Sequence, residues 1–280
     1  MGFKKVEKEK RTKNKKRSMG MNPPNEILVS FDLDYTLMKN PFRQYVFPEL
    51  NDLLQPSGEK TVRQWLNEEH TQRLGQGQFA SAYDWDNMLQ TVGQQQKWAC
   101  QVSIKELVQK HAVPGKVWLF SDVLPTLQQL KQRDIPMVVA TNGFACYQRP
   151  VTDCLGITPY FQAFYTPEEI QLAKPQPEFF QFGCRRKLIH VGDRLDQDIL
   201  GANLAGAVSV WINREFPIAW RDIPAEERKN HPEVKSLLQR RLQREGSSFH
   251  TLDHVTPDYI LASLDELLPV LEKEMRKKFC

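Results

Sequence analysis

From residue 121 onward, short apolar runs alternate with amphipathic stretches, and this alternation restricts the fold more than any other feature of the chain. Residues 121–132 predict a helix with Val123, Leu124, Leu127 and Leu130 on one face and Ser121 or Asp122 as its cap. An apolar run at 137–140 (MVVA) follows, then a helix over about 147–155. Further strands are expected at 188–191, 208–212 and 259–262, with helices around 197–205 and over 264–277. One more run, residues 27–31 (ILVSF), stands far upstream. Runs this short and this apolar suit strands buried on both faces. Strands alternating with helices imply an α/β fold, a doubly wound parallel sheet covered on both sides. Ligands of such sheets bind at the carboxyl ends of the strands.

Two segments break the alternation. Between about Pro41 and His111 there is no strand-like run; helices are predicted at 61–73, 81–92 and 95–110, interrupted by Gly75, Gly77 and Gly93. This block reads as an inserted helical unit. Residues 213–256 are highly charged, hold Pro217, Pro224 and Pro232, and predict one helix over 233–244; they read as a peripheral excursion. The expected division is a tail (1–22), a core (23–38 and 115–280) and an inserted helical cap (39–114).

The net charge of +4 is unevenly placed. Residues 1–17 carry nine Lys or Arg against Glu7 and Glu9, a local charge of +7, so the rest of the chain is mildly acidic at −3. With almost nothing apolar to bury, residues 1–22 are expected to be disordered. Met19 and Met21 offer alternative translation starts within that tail. A basic tail attracts nucleic acid or an anionic membrane by charge alone, although a solvated extension without a partner is the simpler expectation. No apolar run approaches the roughly 18 residues of a membrane helix, and the N-terminus lacks the apolar segment of a signal peptide. Five cysteines with no C-x-x-C spacing suit free thiols in a reducing cytoplasm.

Polar residues collect where the strands end. The first run ends in Asp32-Leu33-Asp34-Tyr35-Thr36, the MVVA run in Thr141-Asn142-Gly143, and the LIHV run in Gly192-Asp193, with Asp198 five residues on. Lys174 lies in a loop before a predicted helix. Carboxylates, a hydroxyl and a lysine therefore converge on one edge of the sheet.

This ordered set resembles the haloacid dehalogenase (HAD) superfamily, in its phosphatase branch with a helical cap between the first two motifs. DLDYT matches the first motif, TNG the second, the Lys174 loop the third and GDRLDQD the fourth; Gln148-Arg149-Pro150 and KPQPEFF also look like that branch. The resemblance covers about residues 26–212 plus the last strand and helix. It implies a Rossmann-like core and a Mg²⁺-dependent phosphatase acting on a small phosphorylated metabolite. Asp32 would attack phosphorus to form an aspartyl-phosphate, and Asp34 would protonate the leaving oxygen and later deprotonate water. Thr141, Asn142 and Lys174 would hold the phosphoryl group. Mg²⁺ would sit among Asp32, the backbone carbonyl of Asp34 and Asp193, with Asp198 orienting water or Lys174 beside it. A carboxylate at Asp34 argues against a dehalogenase. Alternatives are a phosphomutase using the same residues, and a non-catalytic protein of this fold that binds nucleic acid through the tail.

Other residues receive plainer readings. Lys39, Arg43 and Tyr45, just past the first motif, are placed to face substrate, Arg43 foremost. Trp65, Trp85 and Trp98 read as core of the inserted block, and His190 as a packed histidine. Asp196 reads as a solvated neighbour, and the His250/His254 spacing as no zinc site.

Overall fold

A computed structural model describes residues 27–98, 102–183, 186–246 and 251–277. The basic tail, the Pro23-Pro24 pair, Cys100, Cys184, Cys280 and His250 lie outside the described residues. The strands are β1 (Ile27–Phe31), β2 (Met38–Lys39), β3 (Trp118–Leu119), β4 (Met137–Ala140), β5 (Phe164–Tyr165), β6 (Lys187–Gly192), β7 (Val208–Ile212) and β8 (Tyr259–Leu261). Six of them form a parallel sheet in the order β5-β4-β1-β6-β7-β8. The chain winds from β1 to one side, returns, and winds to the other, so the carboxyl end of β1 lies where the winding reverses. That is the crevice in which open α/β sheets bind ligands.

Burial explains why the first run is a strand. All five residues of β1 are buried, flanked by β4 (Val29 opposite Met137) and β6 (Ile27 opposite Lys187). Each fully buried Ile, Leu, Val or Phe contributes about 1.5–3 kcal/mol of transfer free energy. Phe31 is at 0% exposure and Asp32 still only 7% exposed, so the strand carries its apolar environment to the first carboxylate.

The helices are α1 (Phe47–Leu54), α2 (Val62–Gly75), α3 (Trp85–Gln96), α4 (Ile104–His111), α5 (Val123–Gln132), α6 (Ala145–Cys154), α7 (Pro167–Ile170), α8 (Leu200–Leu204), α9 (Pro232–Arg244), α10 (Leu252–Val255) and α11 (Leu267–Arg276). Helices α1 to α4 form the block between β2 and β3, and these two short strands pair antiparallel, Met38 with Leu119, where the chain enters and leaves it. Caps set the helix starts. Thr61 Oγ1 accepts the Gln64 N–H while Gln64 Oε1 accepts the Thr61 N–H, a reciprocal box at the head of α2. Asp86, in the first turn of α3, accepts the backbone N–H groups of Ile104 (2.6 Å) and Lys105 (3.0 Å), fixing α4 against α3.

Several expectations need correction. The helix predicted at 95–110 is two elements: α3 ends at Gln96 with Lys97 in the left-handed region (φ 56°), and α4 begins after Ser103, whose hydroxyl accepts the Glu106 N–H. Residues 81–83 form a 3₁₀ turn, and α3 starts only after Asp84, which caps it. Leu124 is 38% exposed, and the core face of α5 is completed by Thr126, at 1%. Asp122 stands at the cap position of α5, as expected, but its side chain makes no capping bond; its carboxylate accepts from Ser263 Oγ (2.7 Å) and the Leu264 N–H (2.6 Å) and pairs with Arg214. Strands β2, β3 and β5 and helix α1 were not expected. Residues 213–256 are also less peripheral than their composition suggests: α9 buries Val234, Leu238 and Leu242 against Leu195, Trp211 and Phe216. Among the described residues no helix is long and apolar enough to cross a membrane, and Cys146 and Cys154 are free thiols.

Candidate active site

The sheet delivers Asp32, Thr141 and Asp193 from the ends of β1, β4 and β6. Gly192 is required at the last of these ends, because a Cβ there would overlap the carboxyl group and Cβ of Asp198. With no side chain at 192, the π-helical turn Leu195–Ile199 folds back so that Asp198 lies directly behind the strand end.

Lys174 is the centre of the site. Its Nζ, 2% exposed as a residue, donates to Asp32 Oδ1 (2.7 Å) and Asp198 Oδ1 (2.6 Å). Asp198 Oδ1 also takes His190 Nε2 (3.1 Å), and Oδ2 takes the Arg194 N–H (3.0 Å). His190 is fully buried, and its Nδ1 meets Ser30 Oγ at 2.8 Å. One neutral tautomer, protonated at Nε2, satisfies both contacts, and burial holds the imidazole below its ordinary pKa. His190 is thus the packed histidine expected.

The carboxylates respond differently to this environment. Burial pushes Asp32 up to about 6 even though Lys174 pulls it down. Burial, with the charges of Asp32 and Asp198, raises Asp193 well above the usual carboxylate range, against Arg241 and Arg194. Asp198 is equally buried, yet Lys174 and the hydrogen bond from His190 hold it well below that range. Burial raises Asp34, and a hydrogen bond from Gln148 Nε2 to Asp34 Oδ2 (2.8 Å) only partly offsets it. Asp34 Oδ1 is buried without a hydrogen-bond partner among the described residues. A buried polar oxygen of this kind is costly unless something else meets it.

The three carboxylates at the strand ends call for a cation. Asp32, Asp193 and Asp198 each offer a carboxylate oxygen, and these atoms lie within 4.8 Å of one another. An all-oxygen donor set of this charge suits a hard divalent ion. Within the set, Asp198 already accepts three hydrogen bonds on its two oxygens, so it is better placed to orient Lys174 than to bind metal. The Asp34 side chain is not part of this group.

The remaining predicted residues separate. Thr141, 2% exposed, lines the cavity, and its Oγ1 accepts the Gly143 N–H (3.2 Å). Asn142 also lines the cavity, but its carboxamide is occupied: Oδ1 accepts the Lys174 N–H (2.8 Å), and Nδ2 donates to Lys174 O, Tyr83 Oη and Gln197 Oε1. It braces the lysine loop, a duty its motif position did not disclose. Lys39 and Arg43 line the cavity, whereas Tyr45 stacks on His111, 5.5 Å between ring centroids. Trp65, Trp85 and Trp98 all pack against the core, and Trp85 faces the cavity as well. Asp196 is part-exposed but paired: its two oxygens accept from Arg194 Nε (2.9 Å) and Nη2 (2.6 Å).

The cavity above these groups has a volume of about 810 Å³. Asp32, Asp34 and Asp193 lie on its core side, and Arg63, Asn67, His70 and Trp85 reach it from α2 and α3. The Tyr83 hydroxyl bridges the two sides, accepting from Asn142 Nδ2 (2.8 Å) and Gln197 Nε2 (3.3 Å). Sequence reasoning missed Tyr83, Gln148, Gln197 and Arg241. Of these, only Gln148 carried a signal, as part of Gln148-Arg149-Pro150.

Comparison with known proteins bears on the family and the fold. The family described as haloacid dehalogenase-like hydrolase matches residues 28–206, more than half of the chain. The chain is 41% identical over 101 residues to a glyceraldehyde 3-phosphate phosphatase of Methanopyrus kandleri, covering 34% of this chain and 43% of that protein. It is 33% identical over 94 residues to a pyrimidine 5′-nucleotidase of Streptococcus pneumoniae, covering 31% and 40% respectively. Each match spans less than half of the relative's own length. Among solved structures, a HAD phosphatase from Thermococcus onnurineus is similar with a TM-score of 0.59 at 22% identity, over 87% of this chain and 97% of that one. That likeness concerns the fold.

Proposed function

The chain belongs to the haloacid dehalogenase-like hydrolases, and from that premise we propose that it is a Mg²⁺-dependent phosphatase hydrolysing a small phosphorylated metabolite through an aspartyl-phosphate on Asp32. The observation that carries the reading is the Asp32 carboxylate on the cavity wall, held 2.7 Å from the buried Lys174 ammonium, with Asp34 lining the same cavity. In this assignment residues 39–114 are the cap, and residues 23–38 and 115–280 the core. The relatives named for glyceraldehyde 3-phosphate and pyrimidine nucleotides support a small phosphate ester as substrate. Free thiols support work in a reducing cytoplasm.

Asp32 and Asp193 would hold Mg²⁺, together with the backbone carbonyl of Asp34. The ion would supply positive charge to the phosphoryl oxygens and lessen their repulsion of the attacking carboxylate. Asp32 Oδ attacks phosphorus while the bond to the leaving oxygen breaks, and Asp34, raised by burial and steered by Gln148, gives that oxygen a proton. Asp34, now ionised, takes a proton from water as the water attacks phosphorus and the Asp32–phosphorus bond breaks. Lys174 and Thr141 hold the phosphoryl oxygens through both steps, and Asp198 keeps Lys174 in place. Lys39 and Arg43 meet the leaving group at the cavity wall.

The test is phosphate release from an aryl phosphate and from a panel of phosphorylated metabolites. Activity is expected with Mg²⁺, and none in EDTA or in Asp32→Asn. Full turnover in either condition would remove the mechanism.

A further inference from the structure

Asp193 is held by residues that lie beyond the stretch shared with the family, residues 28–206. Helix α9 is pinned by Val234, Leu238 and Leu242, and Arg241, seven residues after Val234 and so on the same face of the helix, reaches the turn that follows β6. Arg241 Nη2 donates to Asp193 Oδ2 at 3.0 Å, and Arg241 Nε donates to Glu245 Oε1 at 2.6 Å. Glu245 Oε2 in turn accepts the backbone N–H groups of Leu195 (2.9 Å) and Asp196 (3.1 Å). One guanidinium and one carboxylate thus grip the turn at both ends, by the Asp193 side chain and by the amides two and three residues on. From the opposite side Trp211 Nε1 donates to the Asp193 carbonyl at 2.7 Å.

We propose that Arg241 and Glu245 are positioning residues for Mg²⁺, fixing Asp193 so that one of its oxygens stays within 4.8 Å of those of Asp32 and Asp198. The inference rests on the metal reading above. A planar fork bonded to two carboxylates at once has little rotational freedom, which a lysine would not reproduce. Loss of a group that orients a metal ligand typically costs 10–100-fold in metal affinity or activity. Removing Arg241 alone also removes a positive charge, which by itself would tighten cation binding. The decisive variant is therefore charge-balanced.

Mg²⁺ is titrated calorimetrically into the full-length, substrate-free protein, so the readout does not depend on turnover. Arg241→Met/Glu245→Gln should weaken Mg²⁺ binding by about tenfold or more. In assays its half-saturating Mg²⁺ should rise by a similar factor while kcat at saturating Mg²⁺ is largely retained. Arg240→Met/Glu233→Gln, the same charge change on exposed positions of the same helix, should leave the Mg²⁺ affinity unchanged. Where the first double variant fails to fold, Arg241→Lys replaces it, and the same direction of change is expected. Unchanged or tighter binding in the clamp variants would overturn the proposal. So would equal weakening in the exposed-site control. If the wild-type protein bound no Mg²⁺, the metal reading itself would fail and the clamp with it.

Discussion

Replacing Lys174 by Met tests whether the site is assembled around a buried cation. The Nζ is bonded to two carboxylates at 2.7 and 2.6 Å, and the side chains are 1% (Lys174), 10% (Asp32) and 1% (Asp198) exposed. Breaking a buried ion pair from one side costs about 3–5 kcal/mol, because it leaves an uncompensated charge in a poor solvent. Two carboxylates lose the same partner here, so Lys174→Met in EDTA at neutral pH should be destabilised by at least about 3 kcal/mol. The sign of the pH dependence follows from Asp32 and Asp198. Asp32 already sits at about 6 with the lysine beside it, and Asp198 is held low by that lysine. Without it both rise. A carboxyl whose folded pKa lies above its unfolded value stabilises the fold when protonated and loses that contribution as pH climbs through the folded pKa. The deficit of the variant should therefore be largest near pH 8 and shrink toward about pH 5. Urea denaturation at both pH values, with and without Mg²⁺, reads this directly. Mg²⁺ should stabilise the variant more than the wild type, since Asp32, one of the carboxylates it would bind, has lost its competing cation. Adding Asp32→Asn to the variant should recover part of the loss, with a coupling of about 1–3 kcal/mol. A variant as stable as wild type in EDTA, or a deficit independent of pH, would refute the reasoning.

Asp34→Asn should spare attack on aryl phosphates, whose leaving groups need little protonation, and depress hydrolysis of alkyl phosphates; rapid-quench trapping should show aspartyl-phosphate accumulating, and equal loss on both substrates with no trapped species would contradict the acid/base role. Gly192→Ala forces its Cβ into the Asp198 carboxyl group, so it should cost about 1–3 kcal/mol in denaturant melts and most of the activity; a fully active, equally stable variant would show that Asp198 can move freely. Deletion of residues 1–20 should leave kcat on small phosphate esters unchanged, and any binding of a short duplex by the intact chain should weaken steeply with salt; a large fall in kcat would mean that the tail reaches the site.

The strands that could be read from the sequence were those buried on both faces. β4 and β7 match their apolar runs residue for residue, as does β1, because the only polar residues within them, Ser30 and Ser209, are small and buried like their neighbours. β2, β3 and β5 have two residues each, too few to express a period. Helix α1 does bury Leu50, but Pro48 within its first turn obscured the start, although that turn tolerates proline. In the site, the residues that were visible share a strand end or a motif. Arg241 looked like one more charge on a polar helix, and Glu245 its equally ordinary neighbour. Their meaning comes from packing that brings them to a turn about 50 residues away in sequence, and no local pattern encodes that distance. Asn142 illustrates the converse: its motif position was evident, but not that bracing the lysine loop would occupy its carboxamide.

The placement of β1 between β4 and β6 has a consequence for how the protein is made. Among the described residues the earliest strand, β1, occupies the middle of the sheet, and its pairing with β6 joins residues 160 positions apart. At a synthesis rate of about 5–20 residues per second, both of its edges stay unpaired for several seconds at least while the helical block and the next strands are still being made. An apolar strand with open edges is what promotes aggregation in nascent chains. A chain halted after residue 183 has no β6, leaves that edge of β1 open, and should remain protease-sensitive and chaperone-bound; stable protease resistance at that length would show that one partner strand suffices. Late closure of this kind means that the carboxylate at the end of β1 meets its lysine and the Asp193 turn only when the sheet is nearly complete, so under the proposed mechanism incomplete chains should be inert.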